Sequence, residues 1–179
     1  IEDDSPLSQA KAAIALVQLR VAPVFGVNFP FSGDNHTDPD LEDESADHVI
    51  GIEAITALFD EARSAGVEDQ ITFATFNVFG RSLRLRGNGR SHNPGHAVSL
   101  IIGPNTVGGV YGGLEDDDRN GRAAAFDSAT GEVRADGDIS YEDGLPSMGK
   151  TLCCAAGLPE DEIDAVIRSG TPVRGAFSA

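Results

Sequence analysis

The chain predicts an α/β fold built on a mostly parallel sheet, and the order of its apolar segments carries that prediction. Two apolar runs of strand length, residues 21–29 ("VAPVFGVNF") and 71–79 ("ITFATFNVF"), flank a segment whose apolar residues recur at helical spacing. Strand, helix, strand in that order is the pattern of a right-handed parallel unit.

Each element follows from local chemistry. In "SPLSQAKAAIALVQL" Ser5 caps a helix, Pro6 takes its first position, and Ala10, Ala13, Ile14 and Val17 share one face. The run at 21–29 is rich in valine and phenylalanine, as in a strand covered on both faces, with Pro23 near its start. From Ser45 to Ala65 the residues Val49, Ile52, Ile55, Leu58, Phe59 and Ala62 form a helical stripe that Gly66 stops. Residues 96–102 ("HAVSLII") read as a third strand, and 103–118 as a glycine-rich, then acidic, excursion. "AAAFDSATGEVRAD" predicts a hairpin turning at "SATG", and the stretches 141–158 and 159–170 predict two closing helices. With no repeat or low-complexity linker, the expectation is a single domain over 1–179.

The totals narrow the function. A chain of 179 residues buries roughly 70% of its unfolded surface, enough for one sizeable core. No run of about 18 apolar residues is present to span a bilayer. The 29 acidic against 13 basic residues give a formal charge of −16, which repels phosphate backbones and argues against nucleic acid as a partner. Such acidity fits a salty, extracellular or calcium-rich setting alike. Cys153 and Cys154 are adjacent in "TLCCAAGL", cannot close a conventional disulfide loop with each other, and read as small core residues. A start at Ile1 without a signal pattern leads us to expect a processed product or a fragment.

Two polar loops follow the first two predicted strands, "GDNH" and "GRSLRLRGNGRSHNPGH", and ligands in open α/β sheets bind beyond the carboxyl ends of strands. Asp34 and His36 from one loop, with His92 and His96 from the other, would supply one carboxylate and three imidazoles, a set suited to zinc or a similar ion. Solvated loops that merely contain histidines are the plainer reading of any one such pair. His48, at the start of a helix, reads as a surface or supporting residue. Arg81, Arg84, Arg86 and Arg90 place a local positive field beside these ligands, suited to a small anion such as phosphate or sulfate, or else to nearby carboxylates. In "DDDRNGRAAAFD", Asp116, Asp118, Asn120, Gly121 and Asp127 match positions 1, 3, 5, 6 and 12 of a calcium loop, though position 12 usually holds glutamate and no flanking helices are evident; a solvated acidic turn is the alternative.

Over most of residues 5–179 these same motifs resemble a known family. "FSGDNH", "VFGRSLRLRGNGRSHNPGHAVSLIIGPNTVGGVYGG" and "GTPVRGAF" are similar, in order, to the Asp-Thr-His, Glu-Phe-Gly-Arg-Thr, Gly-Arg/Thr-Asp-His and terminal Pro-Ile-Arg segments of the bacterial domain of unknown function 1501, in the alkaline phosphatase and sulfatase superfamily. The resemblance is to the carboxyl-terminal half. It implies a three-layer α/β/α sandwich, alkaline phosphatase-like, with metal at the strand ends and export to the periplasm or beyond. By that match Asp34 and His36 are the aspartate and histidine of the first motif, Gly80 and Arg81 the glycine and arginine of the second, and His92 the histidine of the third. Ser91 stands where the third motif has aspartate and Asn77 where the second has glutamate, which weakens a two-metal site. The superfamily's Ser or Thr nucleophile would come from an amino-terminal half or another subunit. The expectation is thus an exported, metal-binding protein with a scaffold or binding role, or alternatively a metal-dependent hydrolase of phosphate or sulfate esters completed by that other half.

Overall fold

A computed structural model describes residues 5–29, 31, 33–34, 36–77, 79–117 and 120–178. The chain divides into two compact units, the first Ile1–Gln70 with Leu85–Arg90 and the second Ile71–Arg84 with Ser91–Ala179.

The first unit is a pair of helices. Helix α1 (Pro6–Gln18) is capped by Ser5, whose Oγ accepts from the Ser8 amide at 3.3 Å, and it buries Ala10, Ala13 and Ile14. Helix α2 (Glu42–Ser64) opens on Glu42, Asp43 and Glu44 and closes on Arg63, charges placed to suit its dipole. Its own N-cap residue, Leu41, has a left-handed backbone and no capping side chain. Asp38 takes over that task, accepting from the Glu42 amide at 3.1 Å and the Glu44 amide at 2.9 Å. At the other end Gly66, with φ +68°, closes a Schellman motif: the Val67 amide donates to the Ala62 carbonyl and the Gly66 amide to that of Arg63. The buried face of α2 is Gly51, Ala54, Ile55, Leu58 and Ala62, while Val49 and Ile52 are exposed. A side chain at position 51 would strike the Phe31 ring at 2.7 Å, so glycine is what lets that ring lie on the helix.

The second unit carries three antiparallel pairs of very short strands. β1 (Phe73–Ala74) pairs with β4 (Ile101–Ile102), β2 (Gly80–Arg81) with β3 (His92–Asn93), and β5 (Leu114–Glu115) with β6 (Arg122–Ala123). Single bridges join Phe126 to Val133 and to Ile139. The expected hairpin forms, its turn closed by the Gly131 amide on the Asp127 carbonyl. Helices α3 (Gly144–Ala155) and α4 (Glu160–Val166) follow as the sequence predicts. Ala124, Ile139, Ala155, Ile163 and Val173 are buried in this unit.

Hydroxyls stitch the carboxyl-terminal segment to α3. Thr151 Oγ1 donates to the Ser147 carbonyl at 2.7 Å and accepts from the Val173 amide at 2.8 Å, and Ser147 Oγ accepts from the Thr171 amide at 3.1 Å. Gly170, at φ +76°, passes so close that a Cβ would lie 2.7 Å from the Ser147 nitrogen. Cys153 and Cys154 are free thiols of intermediate burial on α3, and burial pushes the Cys154 thiol up, away from the reactive thiolate.

This architecture corrects the predicted fold class: there is no mostly parallel sheet and no three-layer α/β/α sandwich among the described residues. The predicted strands 71–79 and 96–102 do pair, but antiparallel, through Phe73 with Ile102 and Ala74 with Ile101. A parallel return needs a crossover of about a dozen residues or more, usually a helix. Here the connection is polar, rich in glycine and arginine, and folds back on itself through β2 and β3. Residues 21–29 form no strand; Val21 is 62% and Val24 82% exposed, and the Asn28 amide donates to the Gln9 side chain instead of to a sheet. An apolar run lacking cover on both faces does not become a buried parallel strand.

Replacing Thr151 by valine keeps the shape and removes the acceptor of the buried Val173 amide. Urea unfolding of Thr151→Val should show a loss of about 1–3 kcal/mol, with Thr151→Ser losing clearly less. A loss in Thr151→Ser with little or none in Thr151→Val would mean that packing of the methyl group, and not the hydrogen bond, is what matters.

Candidate metal and anion site

In the first unit the loop before α2 brings Asp34 and His36 together. His36 Nε2 lies 3.1 Å from Asp34 Oδ1, with both side chains well exposed. The other ring nitrogen, Nδ1, is 3.0 Å from the Arg90 carbonyl, which belongs to the same unit. Gly89 makes this approach feasible, because a Cβ there would run into the His36 carbonyl. The Arg86 amide donates to the Gly89 carbonyl at 2.7 Å and closes the turn, with Gly87 at φ +67°.

Those two distances constrain the protons. A carbonyl and a carboxylate both only accept, and a neutral imidazole carries a single N–H, so it can satisfy one of the two partners and not both. Both are satisfied together by a second ring proton or, with the hydrogen on Nδ1, by a metal ion at Nε2. Tetrahedral zinc bonds of about 2.0–2.2 Å give ligand edges of roughly 3.3–3.6 Å, slightly longer than the 3.1 Å separation here. Holding the remote nitrogen on a backbone carbonyl is also how metal-binding histidines are oriented.

His92 and His96 belong to the second unit and have different surroundings. His92 sits on β3 opposite Arg81, and its ring stacks on Phe79 with centroids 4.1 Å apart. His96 has Nδ1 3.3 Å from Asn93 Nδ2 and 3.4 Å from the Gly121 carbonyl. Its ring packs so closely on Gly80 that no side chain could stand there. Asn93 is 5% exposed; its amide donates to the Gly121 carbonyl at 2.8 Å, and its oxygen accepts from the Gly95 amide at 2.9 Å. The His-Asn-Pro-Gly-His stretch is thus organised by its asparagine, which is not a metal ligand but, two residues before a Gly, is a turn signal in the sequence. His48, on α2, lies tilted against Phe31 at 6.1 Å.

The arginines are divided: Arg81 and Arg84 lie in the second unit, Arg86 and Arg90 in the first. Arg84 reaches Asp116 only at 3.9 Å, with both groups exposed, a pairing of little energetic weight.

Of the calcium-loop residues, Asp118 lies outside the described residues. Asp116 faces Arg84 as above. Asn120 is buried in a left-handed conformation, with its amide on the Asp117 carbonyl, and the Gly121 amide donates to Asp117 Oδ1 at 2.8 Å. The turn is therefore built around Asp117, a residue between the pattern's ligand positions. Asp127 Oδ1 accepts from the Ala129 and Thr130 amides and the Thr130 hydroxyl at 2.9–3.2 Å, so this carboxylate organises the hairpin turn. Asp138 does likewise for Ser128, accepting from its amide and hydroxyl, each at 2.7 Å.

Hydrogen bonds hold both carboxyls below the usual carboxylate range, with the Thr130 amide foremost for Asp127 and the Ser128 hydroxyl foremost for Asp138. A carboxyl lowered on folding stabilises above its unfolded value, about 3.9, and that contribution is lost as pH falls through the lowered folded value. Thermal melts in acid should show this loss, and Asp127→Asn with Asp138→Asn, which keep one acceptor oxygen each but cannot titrate, should flatten it. Unchanged acid sensitivity in the double variant would place the titrating groups elsewhere. Comparison with known proteins gives no match: no family model fits the chain, and neither a curated protein nor a solved structure matches it.

Proposed function

We propose that the chain is an exported divalent-cation-binding protein whose metal is held by Asp34 and His36. The Asp34–His36 pair carries this reading: a carboxylate oxygen and an imidazole nitrogen 3.1 Å apart, with the second imidazole nitrogen beside a backbone carbonyl, are spaced and oriented as two ligands of one cation. A zinc-like ion suits one carboxylate and one imidazole, with water or further residues completing its shell. The motif resemblance adds His92 as a candidate ligand and is also the ground for export, while the polar-loop reading adds His96 as a further candidate ligand and the arginine cluster Arg81, Arg84 and Arg90 as candidate anion holders. With the sandwich absent, that resemblance supports ligand positions and not architecture.

A binding or scaffold role is favoured over hydrolysis. Ser91 and Asn77 stand where the family motifs have acids, and fewer anionic ligands make a poorer electrophile-activating centre. None of the matched motifs supplies a nucleophile. In the alternative reading, a metal-dependent hydrolase of phosphate or sulfate esters, the metal would polarise the ester oxygen while guanidinium groups hold the anion.

Calorimetric titration of the metal-free chain with zinc should show binding that weakens as pH falls, because the imidazole must shed its proton to ligate. Asp34→Asn and His36→Gln should each weaken binding by about tenfold or more. His92→Ala and His96→Ala, titrated alongside, read the position that the resemblance assigns and the one that the loop reading adds. No zinc binding by the wild-type chain, or wild-type affinity in both Asp34→Asn and His36→Gln, would sink the proposal. Turnover of aryl phosphate or sulfate esters that disappears in Asp34→Asn would promote the hydrolase reading, and bound metal without turnover would retain the binding role.

A further inference from the structure

Two asparagines in the sequence precede glycine, Asn88 and Asn120, and the two are placed very differently. Such pairs are prone to self-modification because glycine, lacking a side chain, lets its amide nitrogen approach the preceding side-chain amide. Sequence alone makes the two pairs equivalent.

The structure separates them. Asn88 is exposed at the tip of the 86–89 turn, and the hydrogen bond that closes this turn uses the Gly89 carbonyl, leaving the nucleophilic amide nitrogen outside that bond. Asn120 is 6% exposed, and the amide that would attack it, that of Gly121, donates to Asp117 Oδ1 at 2.8 Å while the Gly121 carbonyl accepts from Asn93. Attack at Asn120 must first break this arrangement.

We propose that Asn88 is a site of spontaneous deamidation in the folded protein and that Asp117 protects Asn120 from the same reaction. The Gly89 nitrogen forms a bond to Asn88 Cγ and the Cγ–Nδ2 bond breaks, releasing ammonia that carries away the Gly89 amide proton. Water then opens the resulting cyclic imide at either carbonyl, giving aspartate or isoaspartate. No redox partner is required. Each product sets a new negative charge between Arg86 and Arg90 in the sequence, and isoaspartate also inserts a methylene into the backbone of a turn whose Gly89 packs against the His36 carbonyl. The site is therefore suited to discharging the arginine-rich loop as the protein ages, whether or not that loop binds an anion.

The test incubates the folded chain in mildly alkaline buffer and follows both asparagines by peptide mapping, with isoaspartate methyltransferase labelling as a second readout. Asn88 should convert at least about fivefold faster than Asn120, the protection one hydrogen bond provides. In urea the two rates should converge, and Asp117→Ala should raise the Asn120 rate toward that of Asn88. Should Asn120 keep pace with Asn88 in the folded wild-type chain, or Asn88 persist there while it converts in urea, the proposal is overturned. That comparison uses wild-type protein and does not depend on how well Asp117→Ala folds.

Discussion

Backbone amides must be satisfied, and in this protein little regular sheet is available to do it. Strands two residues long pair only a few groups, so loop carbonyls and side-chain oxygens share the remainder. Asp38 serves the first turn of α2; Asn93 and Asp117 accept from the Gly95 and Gly121 amides; Asp127 and Asp138 hold the hairpin; Ser147 and Thr151 bind the closing segment to α3. A buried amide stripped of its partner costs more than the bond contributes when formed, a penalty that falls above all on the Val173 amide held by Thr151.

The same constraint explains part of the acidic composition. Several aspartates are not solvating decoration: each accepts two or more local N–H or O–H groups and is thereby kept ionised on the folded chain. Glu115 works differently, through its side chain on Arg122 at 2.5 Å, and holds that guanidinium firmly charged above Tyr141. Charge in this protein is thus partly a structural material. The Asp34 carboxylate differs in facing an imidazole nitrogen, at 3.1 Å from His36 Nε2, rather than a cluster of local amides and hydroxyls.

Glycine supplies the complementary device. Gly89 beside the His36 carbonyl, and Gly80 beneath the His96 ring, allow chain and ring to come closer than any Cβ would permit. Both lie in the arginine-rich stretch, and as points of close approach they help set where the imidazoles stand.

Local signals were legible from the residues alone. Ser5 with Pro6, the stripe ending at Gly66, the turn after Asp127 and the two closing helices depend on neighbours within a turn or two of chain, and so does the proximity of Asp34 to His36. Strand direction was not legible. An apolar run such as 71–79 reads the same whether its partner is parallel or antiparallel, and the outcome turned on the 80–93 connection folding back rather than crossing over. Nor could the run at 21–29 announce that Val21 and Val24 would lack cover, or the pattern at 116–127 that Asp127 would commit its oxygens to its own turn. Capping and turn chemistry are short-range and written in consecutive residues, whereas sheet pairing and the choice of a carboxylate's partner are settled by segments that are distant in the chain and meet only on folding.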